Sequence, residues 1–247
     1  MRHAVCKCLM VVCLLAALGV AAQPASPAPQ APTAQSKNLA PGFEGMRISD
    51  KLLLMPIDVE LYSLSAGSVP VPRADWTAKA REHMNEVIRA RQQEARVEIV
   101  AITPAQADEF AEQVALHAAV AQSIALHQFG GSMWELPTKA GQLLWSFGDA
   151  MQPLRDKTGA EYALFIWVRD SYASQERMAA IAVMAILSMG NVVLSGGVQV
   201  GYASLVDLRT GAVVWFNHLA RGYGDLREPG PAKESLEALL SNYPSAR

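Results

Sequence analysis

Eight polar side chains gather in two short runs, Arg169-Asp170-Ser171-Tyr172 and Arg221-Gly222-Tyr223-Gly224-Asp225-Leu226-Arg227. Each run follows a segment of strand character, and strand ends are where a scaffold presents functional groups. The glycines at 222 and 224 permit tight turns, and Asp225 can pair with either Arg221 or Arg227. An ion-paired turn leading into a last helix explains the second run without any ligand, because surface pairs of this kind are often incidental. If the two runs meet in space, Arg169, Asp170, Tyr172, Arg221, Tyr223, Asp225 and Arg227 are the first candidates for a ligand or partner contact.

Reactive constellations are thin elsewhere. Gly131-Ser132-Met133-Trp134 lacks the second glycine of a nucleophile elbow. Gly196-Gly197-Val198-Gln199-Val200-Gly201 has the wrong glycine spacing for a dinucleotide loop and no helix pattern after it, so these glycines read as loop geometry. His83 and Glu86 lie one helical turn apart, but no further ligand completes a metal site nearby. His117 and His127 are ten residues apart, roughly 80° off a common helical face, and each reads as a surface or half-buried histidine. The sequence therefore points to no catalytic residue, metal or cofactor.

The compartment is written at the amino terminus. Arg2 and Lys7 precede an uncharged run from Cys8 to Ala22, which ends in Val20-Ala21-Ala22 before Gln23. That is the layout of a cleavable export signal, and the run falls short of the roughly 20 apolar residues of a membrane span. Cleavage near Ala22/Gln23 removes Cys6, Cys8 and Cys13, the only cysteines, and so excludes disulfides and thiolate chemistry from the mature chain. Cys13 follows Met10, Val11 and Val12, which does not match a lipoprotein signal. A periplasmic or otherwise exported protein without acylation is expected. Removing Arg2 and Lys7 takes the formal net charge from −2 to −4, and no basic cluster with interleaved aromatics occurs, which argues against nucleic acid as a partner.

Three segments follow from composition: a signal peptide over 1–22, a Pro/Ala/Gln-rich tether over 23–50, and one α/β domain over 51–247. Leu52, Leu53, Leu54, Met55 and Ile57 predict a strand over Lys51 to Val59 covered on both faces, followed by a Ser/Gly/Pro loop through Pro72. Asp75 can cap a helix whose Trp76, Ala80, Met84, Val87 and Ile88 recur at helical spacing. A short strand is expected over Arg96 to Ile102. Thr103, Pro104 and Gln106 then form a capping box opening a helix toward Gln128, ended by Gly130 and Gly131. Thr138 caps a third helix carrying Leu143, Leu144, Phe147, Met151 and Leu154. Glu161 to Arg169 is apolar on both alternating faces, as a central strand requires. Gly201 to Leu208 and Ala212 to Leu219 flank Arg209-Thr210-Gly211 as a hairpin, and a helix over Pro231 to Leu240 closes the domain.

That element order, with the hairpin Leu205-Val206-Asp207-Leu208-Arg209-Thr210-Gly211-Ala212-Val213-Val214-Trp215, resembles the bacterial envelope family of the curli-secretion lipoprotein and the TolB amino-terminal domain. The resemblance spans roughly Lys51 to Leu240. It implies an α/β (α+β) sandwich with a mixed sheet and a carboxy-terminal antiparallel hairpin, envelope residence and protein-binding work, and it supplies no catalytic residues. The chain departs from those lipoproteins in lacking an acylated cysteine and in carrying an uncharged stretch from Met178 to Val206.

Two readings of that stretch compete. One is a buried helix of about three turns with glycines before the next strand, and the other is a membrane-inserting or oligomer-forming element. The functional expectation is an exported, non-catalytic envelope module that binds another envelope protein or itself. An oligomeric, membrane-associated or channel-like component using residues 178–206 is the alternative, membrane association being the less favoured outcome. A hydrolase assembled from distant positions is the second alternative.

Overall fold

The computed structural model describes residues 36–189, 191, 196–244, 246 and 247. The expected signal peptide and most of the tether lie outside the described residues. The chain order is β1 (Lys51–Leu54), β2 (Asp58–Leu64), β3 (Pro70–Pro72), α1 (Ala74–Glu94), β4 (Glu98–Ala101), α2 (Pro104–Ala107), α3 (Ala111–Ile124), α4 (Gln152–Thr158), β5 (Tyr162–Ala173), α5 (Gln175–Leu187), β6 (Gln199–Asp207), β7 (Val213–Arg221) and α6 (Pro229–Leu239). The strands form a single mixed sheet with helices on both faces, the α/β architecture expected from the sequence.

The continuously apolar β5 is the central strand. It pairs antiparallel with β6 along one edge and parallel with β1 and then β2 along the other. The run Lys51 to Val59 is thus two strands. Leu54 faces Leu164 whereas Asp58 faces Trp167, so the chain gains a residue around Pro56, which has no N–H to give the ladder. The Ser/Gly/Pro segment after it also enters the sheet. Tyr62, Ser63 and Leu64 pair with Pro72, Val71 and Pro70 around a turn in which Ser68 takes a φ of 63°.

One face of the sheet packs on α1 and α6 through Ala80, Met84, Leu236 and Leu239, with Ile166, Val168 and Trp215 beneath them. Ala80, Met84 and Ile88 of α1 fill that core as their spacing dictates. Its N-cap is Arg73 instead of Asp75, which sits in the first turn and pairs with Arg73 at 3.0 Å. On the other face Phe110, Ile124, Phe147 and Leu154 cover Phe165 and Phe216. The capping box at Thr103 and Gln106 forms with both reciprocal bonds. Its helix proceeds through a 3-10 turn at Asp108–Phe110 and ends in a π turn at Ala125–Phe129.

The third helix expected after Thr138 does not form as one piece. Ala140, Gly141 and Gly148 take φ values of 48°, 71° and 56°, and Ser146 bridges Ala212 of the hairpin, so helical geometry resumes only near Met151. At the hairpin turn Gly211 has a φ of 69°, and a Cβ there would lie 2.0 Å from the Gly148 carbonyl oxygen. Only glycine fits. Asp207 Oδ1 accepts from the N–H groups of Arg209 and Thr210 at 2.8 and 3.3 Å, which closes the turn.

Residues 36–50, which composition assigns to the tether, pack against the domain. Leu39 bridges Trp215, Ala40 N–H donates to the Val214 carbonyl at 2.9 Å, and Phe216 N–H donates to that of Asn38 at 2.9 Å. Met46 is buried in the core.

Candidate functional site

Strand alternation divides the first candidate run. Asp170 and Tyr172 point to the α1/α6 face with Val168, while Arg169 points to the opposite face. There Arg169 pairs with Asp58 at 2.8 Å and Glu60 at 3.5 Å, its guanidinium 4.5 Å from the ring centre of Trp167. It is separate from the other six candidates.

The remaining residues of the two runs do meet. Asp170, 2% exposed, accepts from the Tyr172 hydroxyl at 2.5 Å, from Gln199 Nε2 at 2.7 Å and from the Ser171 N–H at 2.8 Å. Burial pushes its carboxyl up to about 6 against those three hydrogen bonds, which favour the carboxylate. The Tyr172 hydroxyl accepts the Leu226 N–H at 2.7 Å, and burial together with its bond to Asp170 pushes its pKa up, so it stays a protonated donor. Gln199 Oε1 accepts from Arg221 Nε at 2.9 Å, and Arg221 also donates to Ser235 of α6. Its guanidinium lies 4.9 Å from the Tyr223 ring centre. Arg227 binds Asp225 through two parallel contacts of 2.8 and 2.6 Å, holding that carboxyl below its usual range. The same guanidinium lies 4.2 Å from the Tyr172 ring centre and 4.5 Å from that of Trp76.

This geometry fastens the loop after β7 onto the end of β5. Asp170 receives three donors, and Asp225 is engaged by Arg227, so the cluster holds itself together. Gln199, Ser235 and Trp76 complete it, none of them among the contact candidates read from the sequence. Only the antiparallel register, which sets Gln199 against Asp170, brings the first of them in.

The histidines have separate structural partners. His83 Nε2 lies 3.2 Å from the Arg227 carbonyl oxygen. His117 is 3% exposed, deeper than expected, stacked on Phe165 at 4.4 Å with Nε2 2.9 Å from Ser204 Oγ, and burial lowers its pKa to about 3. His127 Nδ1 is 2.7 Å from the Trp134 carbonyl oxygen. Among the described residues no three His, Cys, Asp or Glu side chains converge as metal ligands.

The uncharged stretch is where the surface departs from ordinary. Ser174 caps α5, but of the helix only Arg177 is buried. Met178, Val183, Met184, Ile186, Leu187 and Met189 are all exposed, Ile186 at 78% and Met189 at 92%. The expectation of a buried helix is not met: α5, which follows β5 in the chain, leaves most of its large apolar side chains exposed, with Ala180, Ile181 and Ala185 half-buried. Gly197 then brings the chain back so closely to β5 that a Cβ there would lie 1.8 Å from the Ser171 carbonyl oxygen.

No protein-family model and no curated protein sequence matches this chain. Among solved structures it shows weak, partial similarity to the PelC dodecamer from Paraburkholderia phytofirmans, at 14% identity over 83% of this chain and 96% of that one, with a TM-score of 0.37. Similarity to the lipoprotein GNA1162 from Neisseria meningitidis has 14% identity, 78% and 94% coverage and a TM-score of 0.32. For the LpoB carboxy-terminal domain from Salmonella enterica the values are 14%, 74%, 88% and 0.28. Likenesses this weak assign no partner, assembly or activity to this chain.

Proposed function

We propose that this chain is an exported, non-catalytic interaction module whose contact element is α5, and that the polar cluster at the end of β5 serves to hold the surrounding frame. The observation that carries the reading is the exposure of the large apolar residues of α5 and its carboxy-terminal end. From Met178 to Leu187 the helix has no charged side chain and no polar face. Helices that are apolar all round are normally covered on several sides, by protein or by a membrane.

The dimensions favour a protein partner. Thirteen residues make a helix of about 20 Å, short of the roughly 30 Å hydrocarbon core. No described helix is long and apolar enough to cross a membrane. A helix lying flat on a bilayer typically carries a basic polar face, which α5 lacks. The leader over 1–22 supports export, and the partner is then a second copy of this chain or another exported protein.

Light scattering on the exported protein, side by side with an Ile186→Glu/Leu187→Glu variant, tests this. An assembly or partner complex that the variant dissociates without loss of folding supports the reading. A wild-type chain that stays monomeric, captures no envelope protein and floats with liposomes makes α5 a membrane element and sinks it.

A further inference from the structure

Toward the β4 edge of the sheet, on the face covered by α1 and α6, lies a cleft of about 530 Å³. Sites for small organic molecules run from roughly 300 to 1,000 Å³. The cleft is bounded by the carboxy-terminal end of α1, by β1 and β4, and by the last residues of the chain. Leu52, Leu54 and Leu164 come from the sheet, with Ile88 and Leu240 from the helical side, so the lining is largely aliphatic.

Two features keep this from being only a packing gap. Arg91 and Arg96 both line it and both are exposed, and among the described residues neither has a carboxylate within ion-pair distance. The adjacent Glu98 is taken by Lys51 at 2.9 Å. Tyr243, also in the lining, has a buried hydroxyl with no hydrogen-bond partner among the described residues, and burial raises its pKa so that it remains a donor. An apolar trough beside two guanidinium groups that are unpaired among the described residues matches a ligand that is greasy along its length and anionic at one end.

We propose that this cleft binds a single-chain amphipathic anion, with an acyl or aryl body against Leu52, Leu54, Ile88 and Leu164 and a carboxylate, phosphate or sulfate head held by Arg91 and Arg96. The same chemistry is offered by a free monomeric amphiphile and by a lipid headgroup in a bilayer, and titration with monomer against vesicles tells the two apart.

The test is titration of the full chain with the fluorescent fatty acid cis-parinaric acid below its aggregation concentration. The expected result is one saturable site, displaced by dodecanoate and dodecyl phosphate but not by dodecanol. Arg91→Gln/Arg96→Gln should weaken it roughly tenfold or more at unchanged melting temperature, since both side chains lie at the surface. Leu54→Trp, which fills the trough, provides a second variant. Equal displacement by dodecanol, indifference to the arginine substitutions, or binding to phosphatidylglycerol vesicles without binding of the monomer would each overturn the proposal. Self-association through α5 is read by a different measurement and does not enter this one.

Discussion

The Tyr172 hydroxyl stands 2.5 Å from Oδ2 of Asp170 and also accepts the Leu226 N–H, so a single oxygen ties the central strand to the loop after β7. Tyr172→Phe leaves a buried carboxyl and a backbone N–H each short of a partner. The expected loss is about 1–3 kcal/mol of unfolding free energy, read by urea denaturation, with faster hydrogen exchange at Leu226. Unchanged stability and exchange would remove the fastening role assigned to the cluster.

Asp170 and His117 should give opposite pH slopes. Asp170, raised to about 6 from roughly 3.9 unfolded, makes the folded state bind more protons across that window. Its contribution is complete below the unfolded value and is lost as pH rises through 6. His117, lowered to about 3 from roughly 6.5 unfolded, makes the unfolded state bind more protons. Its contribution is complete above the unfolded value and is lost as pH falls toward 3. Between about pH 4 and 6 the two offset each other. Asp170→Asn should therefore steepen the rise of stability with pH, and His117→Phe should reverse it, in denaturant midpoints measured at several pH values.

Gly211→Ala should be among the most damaging single-methyl additions. It forces a non-glycine residue to a φ of 69° and sets its Cβ 2.0 Å from the Gly148 oxygen. The left-handed conformation alone costs about 1–2 kcal/mol, and the clash adds to it. Thermal unfolding reads the effect, and a melting temperature equal to wild type would contradict the packing of the hairpin turn on the Gly148 backbone.

On α5 the reverse holds. Ile186→Lys and Leu187→Lys replace side chains that are 78% and 73% exposed, so the isolated chain should change by no more than about 0.5 kcal/mol. Solubility and association should change markedly. A large destabilisation in the monomer would mean that the helix is packed and not presented.

The parts of this fold legible in the sequence are those where local chemistry and tertiary need agree. The capping box at Thr103, the apolar β5 and the Asp207 to Gly211 turn are of this kind. Pro56 and the glycines at 141 and 148 were visible too, but whether they bend an element or end it is settled by the pairings that flank them, Asp58 with Trp167 across the sheet and Ser146 with Ala212 of the hairpin. In the candidate site, period-two alternation already separates Arg169 from Asp170, whereas the partnership of Asp170 with Gln199 depends on a register that no local pattern encodes. The apolar run of α5 marks a segment that needs covering, and a single chain does not say by what.

The outer strand β3 carries a consequence for how copies could join. Val71 and the residues beside the strand face β2, as the Arg73 N–H to Leu61 carbonyl and Ser65 N–H to Val69 carbonyl bonds show. Pro70 and Pro72 therefore occupy the positions whose nitrogens turn outward, and neither has a hydrogen to offer. At the far margin, residues 38–40 already occupy the bonding groups of Val214 and Phe216. These two margins thus resist strand-by-strand extension at those positions, and any backbone pairing from one molecule to the next falls to β4, which has no strand beside it other than β1 among the described residues.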